Sequence, residues 1–177
     1  MQKRIFLVLC SLFSILTLQA QTIDTKNSYI QFEVKNMGKV VEGTMKNMKG
    51  QVQIDPNDLA KATFEATVAP NTVHTGSKGR DNHLHKDDFF GVEQYEVIKM
   101  VSKEIKKTDK GYEATALLTI RDIETEVVIP FTIEQKEDRQ ILVGKLDLLR
   151  KEYGLGTAIS KMMIGLDVQV TIHAELL

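Results

Sequence analysis

The sequence predicts an all-β domain: eight or nine mostly antiparallel strands that close into a barrel or fold into a sandwich. Three observations carry this. Apolar and polar residues alternate one by one through most of the chain, the pattern of half-buried strands. No segment offers a helical apolar period of real length. Turn residues recur at short intervals, and short connections join antiparallel neighbours.

Residues 1–20 stand apart from this pattern. Lys3 and Arg4 precede an apolar run from Ile5 to Leu18, and Ala20 is a small residue at a cleavage point. This is the layout of a secretory signal peptide, too short and wrongly flanked for a membrane span. Cys10 lies inside the apolar run rather than at its end, which argues against a lipoprotein anchor. Removal of the segment takes away the only cysteine, so no disulfide or thiol chemistry remains. It also removes two of the 23 basic residues and none of the 24 acidic ones, leaving a net charge of −3. The expected product is a single domain over residues 21–177, about 157 residues and enough for a real core, released to the periplasm or outside the cell. Its weak acidity, the lack of a basic cluster and the absence of Trp speak against nucleic acid as a partner. After cleavage no apolar segment is long enough to span a bilayer.

The strands follow in order. From Ser28 to Lys35, Ile30, Phe32 and Val34 share one face. Asn36-Met37-Gly38 reads as a turn, after which Val41, Gly43 and Met45 form a second row. Gly50, Val52 and Ile54 form a third, ended by Asp55-Pro56-Asn57-Asp58, whose residues fix φ or bond back to the backbone. Ala62, Phe64, Ala66 and Val68 make the fourth row, closed by Pro70. Ile98, Met100 and Ser102 make the fifth, and Tyr112, Ala114, Ala116, Leu118 and Ile120 the sixth. In the seventh, Val127, Ile129, Phe131 and Ile133 align, with Pro130 on the other face marking an edge or a bulge. Ile141 to Leu148 and the row from Ile164 to Ala174 complete the set. An eight-stranded barrel has room for packed side chains or for one small ligand. Many inward candidates here are small or flexible (Gly43, Ala62, Ala66, Met100, Ala114, Ala116), which favours a cavity that holds a ligand. On pattern alone, a sandwich with an ordinary core stays open.

One stretch, Thr72 to Tyr95, breaks the alternation and holds three of the four histidines. His83, His85 and Asp88 are residue types that bind zinc or iron. The segment has a helical look, with Asp81 or Asn82 as N-cap, and helical residues two apart point about 200° from each other. That spacing argues against one shared ion. Ser77 has no strand-to-helix elbow around it, and Gly76-Ser77-Lys78-Gly79 lacks the order of a phosphate loop. His74 and His173 read as isolated structural histidines. Phe89-Phe90, with Leu84 one turn earlier, gives the short helix an apolar edge able to cap a barrel mouth, with Arg80-Asp81 at the rim.

The run from His74-Thr-Gly through Arg80-Asp81, His83-Leu84, Asp88-Phe-Phe90 and Tyr95 resembles the signature of the YceI-like family. So do Asn27-Ser28 with Ile30 and Phe32, Asn36-Met37-Gly38 with Glu42-Gly43-Thr44, and Lys49-Gly50 with Asp55-Pro56 and Leu59. Leu118-Thr-Ile-Arg121 and Arg150 with Tyr153-Gly154-Leu155 extend the likeness over nearly the whole mature chain. The chain departs from the family's pattern at Glu96, Met100, Ala116 and Asp122, where the family has Pro, Phe, Gly and Gly. The resemblance implies an all-β, eight-stranded antiparallel lipocalin-like barrel with a short helix in the 77–90 connection. It implies an isoprenoid or other long-chain lipid bound in a hydrophobic pore, binding rather than catalysis, and a homodimer. The residues assigned to the pore are Phe32, Val34, Phe64, Met100, Leu118, Phe131 and Val170. Arg80, His83, Phe89 and Phe90 are assigned to the head group or rim. Two alternatives stay beside this: a metal-dependent enzyme on His83, His85 and Asp88, and an envelope stress protein without a small ligand.

Overall fold

The computed structural model describes residues 20–177; the signal-peptide assignment and Cys10 lie outside the described residues, apart from Ala20. Ten strands form one sheet: β1 (Gln21–Thr22), β2 (Tyr29–Asn36), β3 (Lys39–Met45), β4 (Lys49–Gln53), β5 (Thr63–Val68), β6 (Ile98–Thr108), β7 (Gly111–Ile120), β8 (Ile123–Lys136), β9 (Arg139–Leu149) and β10 (Ile164–Glu175). Nine of these are the alternating runs of the sequence. The tenth, β1, is two residues long, too short to show alternation, and it carries the strand count beyond the expected eight.

All pairings are antiparallel, in the order β1-β4-β5-β6-β7-β8-β9-β10-β2-β3. The sheet curls, and both of its edges are tied to segments beyond its other strands. Thr44 of β3 and His74 exchange both backbone N–H···O bonds at 2.9 Å, and Ile23 bridges to Leu176. The amide of Asp24 donates to the Glu175 carbonyl at 2.8 Å, and that of Leu177 to Thr22 at 2.9 Å. Residues 22–24 and 175–177, near the two ends of the described residues, are thus stitched together at one end of the barrel. Asp24 also pairs with Arg139 at 2.5 Å.

The turn chemistry operates as the residue types require. Asp55 accepts the Asn57 amide at 2.8 Å on its carboxylate, and its carbonyl takes Asp58 N–H at 3.0 Å. Pro130 stands inside a central strand, yet it costs no ladder bond. The β8–β9 ladder begins at Phe131, one residue beyond the proline, so the missing N–H falls where β8 has no strand partner on that side among the described residues. A bulge between Ser102 and Glu104 in β6 shifts the parity, so Ile105 rather than residue 104 turns inward and is buried. Ser102 Oγ accepts the Phe64 amide at 2.8 Å at the end of the β5–β6 ladder.

Two buried clusters occupy the interior. One packs Phe89, Phe90, Tyr153 and Leu155 with Leu118, Ile120 and Ile129. The other packs Ile23, Met48, Val52 and Leu176 with Ile105, Phe131 and Leu142 around the joined termini. Among the described residues no helix is long and apolar enough to cross a membrane.

Candidate functional site: an apolar cavity along the barrel

Between and alongside these clusters lies a cavity of about 540 Å³, within the range of small-molecule pockets, roughly 300–1,000 Å³. The seven residues assigned to the pore (Phe32, Val34, Phe64, Met100, Leu118, Phe131, Val170) all stand on its wall. So do Arg80, His83, Phe89 and Phe90. Strand parity delivers the first set: Phe32 and Val34 on β2, Phe64 on β5, Met100 and Leu118 as register partners on β6 and β7, Phe131 on β8, Val170 on β10. Leu118 and Phe131 are buried, whereas Phe32, Phe64, Met100 and Val170 remain only partly buried although they point inward. Large apolar side chains of a closed core would bury against each other. Here they face open space.

The cover comes from the irregular stretch. Helix α1 (Lys78–Leu84) begins at Ser77, not at Asp81 or Asn82 as the sequence suggests. The physical reason is that the Asp81 carboxylate is already engaged: it takes the Thr75 amide at 2.9 Å and the Thr75 hydroxyl at 2.5 Å. Arg80 turns to the same residue, Nε donating to Thr75 Oγ1 at 2.7 Å and Nη2 to the Thr75 carbonyl at 2.9 Å. Arg80 and Asp81 therefore meet through Thr75 rather than as an ion pair. Burial alone would raise the Asp81 pKa, but the two Thr75 bonds and the charges of His74 and Arg80 outweigh it and hold the carboxyl below its ordinary value. Phe89 and Phe90 are buried beneath the helix, with His83 edge-on to Phe89 at 5.0 Å between centroids.

His83 Nε2 lies 2.7 Å from Asp88 Oδ2 at the surface, while His85 Nε2 is buried with no hydrogen-bond partner among the described residues. Among the described residues no group of three His, Cys, Asp or Glu side chains comes together to hold a metal ion. The His83/His85/Asp88 cluster of the enzyme alternative is not assembled. His74 keeps its structural part through the Thr44 bridge, its ring 3.3 Å from Asp81. His173 stacks on Tyr29 at 4.8 Å.

Sequence reasoning did not foresee the part of Arg150. It is 3 % exposed and also lines the cavity. Its five N–H groups find five backbone carbonyls: Nε donates to Gly165 (2.8 Å), Nη1 to Leu155 and Gly156 (2.8 and 2.6 Å), Nη2 to Ile159 and Ile164 (both 3.0 Å). Burial draws its pKa downward. This one side chain organises the loop between β9 and β10, and Gly156 N–H of that loop donates to Asp88 at 2.6 Å, tying it to the helical cover. The only signal in the sequence is the Arg150 to Leu155 motif itself. Lys99, also at the wall, pairs with Glu65 at 2.7 Å. Arg80 Nη1 makes none of the bonds described for that side chain, so it remains available at the rim.

Comparison with known proteins gives a consistent result. A family model described as the YceI-like domain matches residues 21–176. A UPF0312 protein of Staphylococcus epidermidis is 40% identical over 85 residues, 48% of this chain and 50% of the relative, so the matched region spans about half of that protein. A UPF0312 protein of Staphylococcus aureus is 27% identical over 168 residues, 87% of this chain and 95% of the relative. Among solved structures, BcnA of Burkholderia cenocepacia superposes with a TM-score of 0.81 at 24% identity, covering 86% of this chain and 98% of BcnA. A polyisoprenoid binding domain from Saccharophagus degradans gives 0.70 at 14% identity, covering 89% and 97%. At these identities the two structures speak for the fold alone.

Proposed function

Because the chain belongs to the YceI-like domain family, we propose that its barrel binds a long isoprenoid or similar amphiphilic lipid, for carriage, storage or sensing in the cell envelope. The observation that carries this reading is the set of inward aromatic and aliphatic side chains left part-exposed around a cavity of about 540 Å³. The likeness in fold to a polyisoprenoid binding domain supports the ligand class. Each methylene that leaves water contributes about 0.8 kcal/mol, and part of that gross gain is offset by ordering the chain. The lipid tail lies against Phe32, Val34, Phe64, Met100, Leu118, Phe131 and Val170. A polar head group stays at the rim beside Arg80 and His83, under the cover of Phe89 and Phe90. The role is binding, without a chemical step, in a protein released to the periplasm or beyond by residues 1–20, with a homodimer as its assembly.

Solvent extraction of the purified protein followed by mass spectrometry tests the reading. A stoichiometric long-chain lipid is expected. A protein that carries none, and binds none when offered polyprenyl phosphate or fatty acid, sinks it.

A further inference from the structure

Four apolar side chains at one end of the barrel have no place in its core. Met37 is 74% exposed, Val40 58%, Met162 84% and Met163 56%. They come from two segments, the β2–β3 turn with the start of β3 and the loop before β10, which are joined by the Met37 amide donating to the Met163 carbonyl at 2.8 Å. The second segment is itself built: Met162 N–H bonds to Ser160 Oγ at 3.2 Å and Met163 N–H to the Ser160 carbonyl at 3.0 Å. The methionines therefore sit on fixed backbone. Met37 adds a cost of its own, because it and Gly38 form a two-residue turn with φ of 48° and 79°. Asn or Gly suits the first of these positions, and a long apolar side chain there is strained and gains no burial. Strain without a structural return points to a use outside the fold.

The surroundings define that use. Lys35, Lys39 and Lys161 are exposed beside the methionines, and none forms an ion pair among the described residues. An apolar tip flanked by three exposed lysines matches a bilayer with an anionic surface, where the two attractions add. A two-fold contact between copies would instead bring the same lysines face to face. Asn36 and Ile164, the chain neighbours of Met37 and Met163, line the cavity, so a surface gripped by the tip lies next to the cavity wall.

We propose that this tip docks the barrel on an anionic lipid bilayer, placing the cavity where it exchanges its ligand with the membrane; the exchange, though not the docking, rests on the lipid-binding reading above. Sedimentation with vesicles tests it, using the chain from Gln21 onward, which contains the whole described fold. Binding is expected to vesicles of phosphatidylglycerol and phosphatidylethanolamine, and to weaken with salt and on vesicles of phosphatidylcholine alone. Combining Met37→Asn, Met162→Ser and Met163→Ser should weaken it at least about tenfold, with Met37→Asn favouring the turn and so protecting the fold. Lys39→Gln or Lys161→Gln should each cost about fivefold. The chain has no Trp, so Met163→Trp supplies a single reporter whose emission should shift to the blue on the anionic vesicles. The methionine variant should retain its co-purified lipid, which keeps this test separate from that of the cavity. Absence of lipid from the wild type would strike at the cavity reading instead. Equal vesicle binding by wild type and methionine variant overturns the proposal. So does a wild type that ignores phosphatidylglycerol but self-associates through the methionines, since the patch would then be a contact between copies.

Discussion

Phe32 and Gly43 are register partners on β2 and β3, and the ring of Phe32 occupies the space where a Cβ on residue 43 would stand. The glycine is a recess that lets the ring lie flat against the barrel wall and leaves the cavity open in front of it. Gly43→Val should therefore destabilise the protein by about 1–3 kcal/mol through overpacking. Phe32→Leu in the same chain should recover part of the loss, because the clash needs the ring. The urea midpoints of the two single variants and the double variant measure this, and additive losses would refute the pairing.

The cavity gives a prediction of opposite sign. Ala66 and Met100 are register partners on β5 and β6, and both line it. Ala66→Phe or Met100→Trp adds volume to open space rather than to a packed core. Stability should hold or rise, while the lipid recovered by extraction should fall by more than about tenfold, since an added ring removes contact area worth about 1.5–3 kcal/mol. A side chain that destabilises the barrel without changing bound lipid would show that the space is needed for packing.

Arg80 tests where a head group sits. Two of its nitrogens are committed to Thr75, so Arg80→Lys removes the fork geometry and Arg80→Ala the charge as well. For an anionic ligand, loss of a charge-assisted bond worth about 1.5–3 kcal/mol predicts affinity lowered roughly 10- to 100-fold, with Arg80→Lys in between. Titration with a polyprenyl phosphate and with the matching alcohol separates the cases. Only the phosphate should lose affinity.

Much of this is legible in the sequence. Strand parity alone placed Phe32, Phe64, Met100 and Phe131 on one interior surface, because a period of two has no other outcome in a curled sheet. The parity of β6 beyond Ser102 was not readable: a bulge adds a residue to one strand only, and nothing in Ser-Lys-Glu-Ile announces it. β1 escaped notice because two residues cannot display a pattern. The sequence misplaces the start of α1, because Asp81 looks like an N-cap, and its carboxylate does cap backbone, but that of Thr75, outside the helix. Arg150 was hidden for a different reason. An arginine on a strand end reads as surface, and its five acceptors are carbonyls, which leave no mark in a sequence.

That arrangement makes the fold depend heavily on Arg150. Arg150→Met keeps the aliphatic stem but orphans five carbonyls. At about 1–3 kcal/mol for each buried polar group left unpaired, the loss reaches the whole margin of a typical domain, about 5–15 kcal/mol. Arg150→Lys has at most three donors and should recover only part. Thermal unfolding ranks the three proteins. Because Gly156 of this loop also bonds to Asp88, amide exchange should quicken at residues 86–91 in Arg150→Lys, before the strands are affected.

Asp81 supplies the pH dependence. Its carboxyl is held below the ordinary value in the folded protein, burial opposing and the Thr75, His74 and Arg80 contacts prevailing. A depressed carboxylate binds its proton less readily when folded than when unfolded, so it stabilises the fold above the unfolded value of about 3.9. That contribution is lost as the pH falls through the lower, folded value. Asp24, lowered chiefly by the Lys26 amide and Arg139, acts in the same direction at the other end of the barrel. Asp81→Asn keeps an oxygen for Thr75 but gives up the charge, at about 1 kcal/mol. The gap in urea midpoint between wild type and Asp81→Asn should be widest near neutral pH and close as the pH drops below about 4. A gap that stays constant across that range would mean that the Asp81–Thr75 contact acts through shape rather than charge.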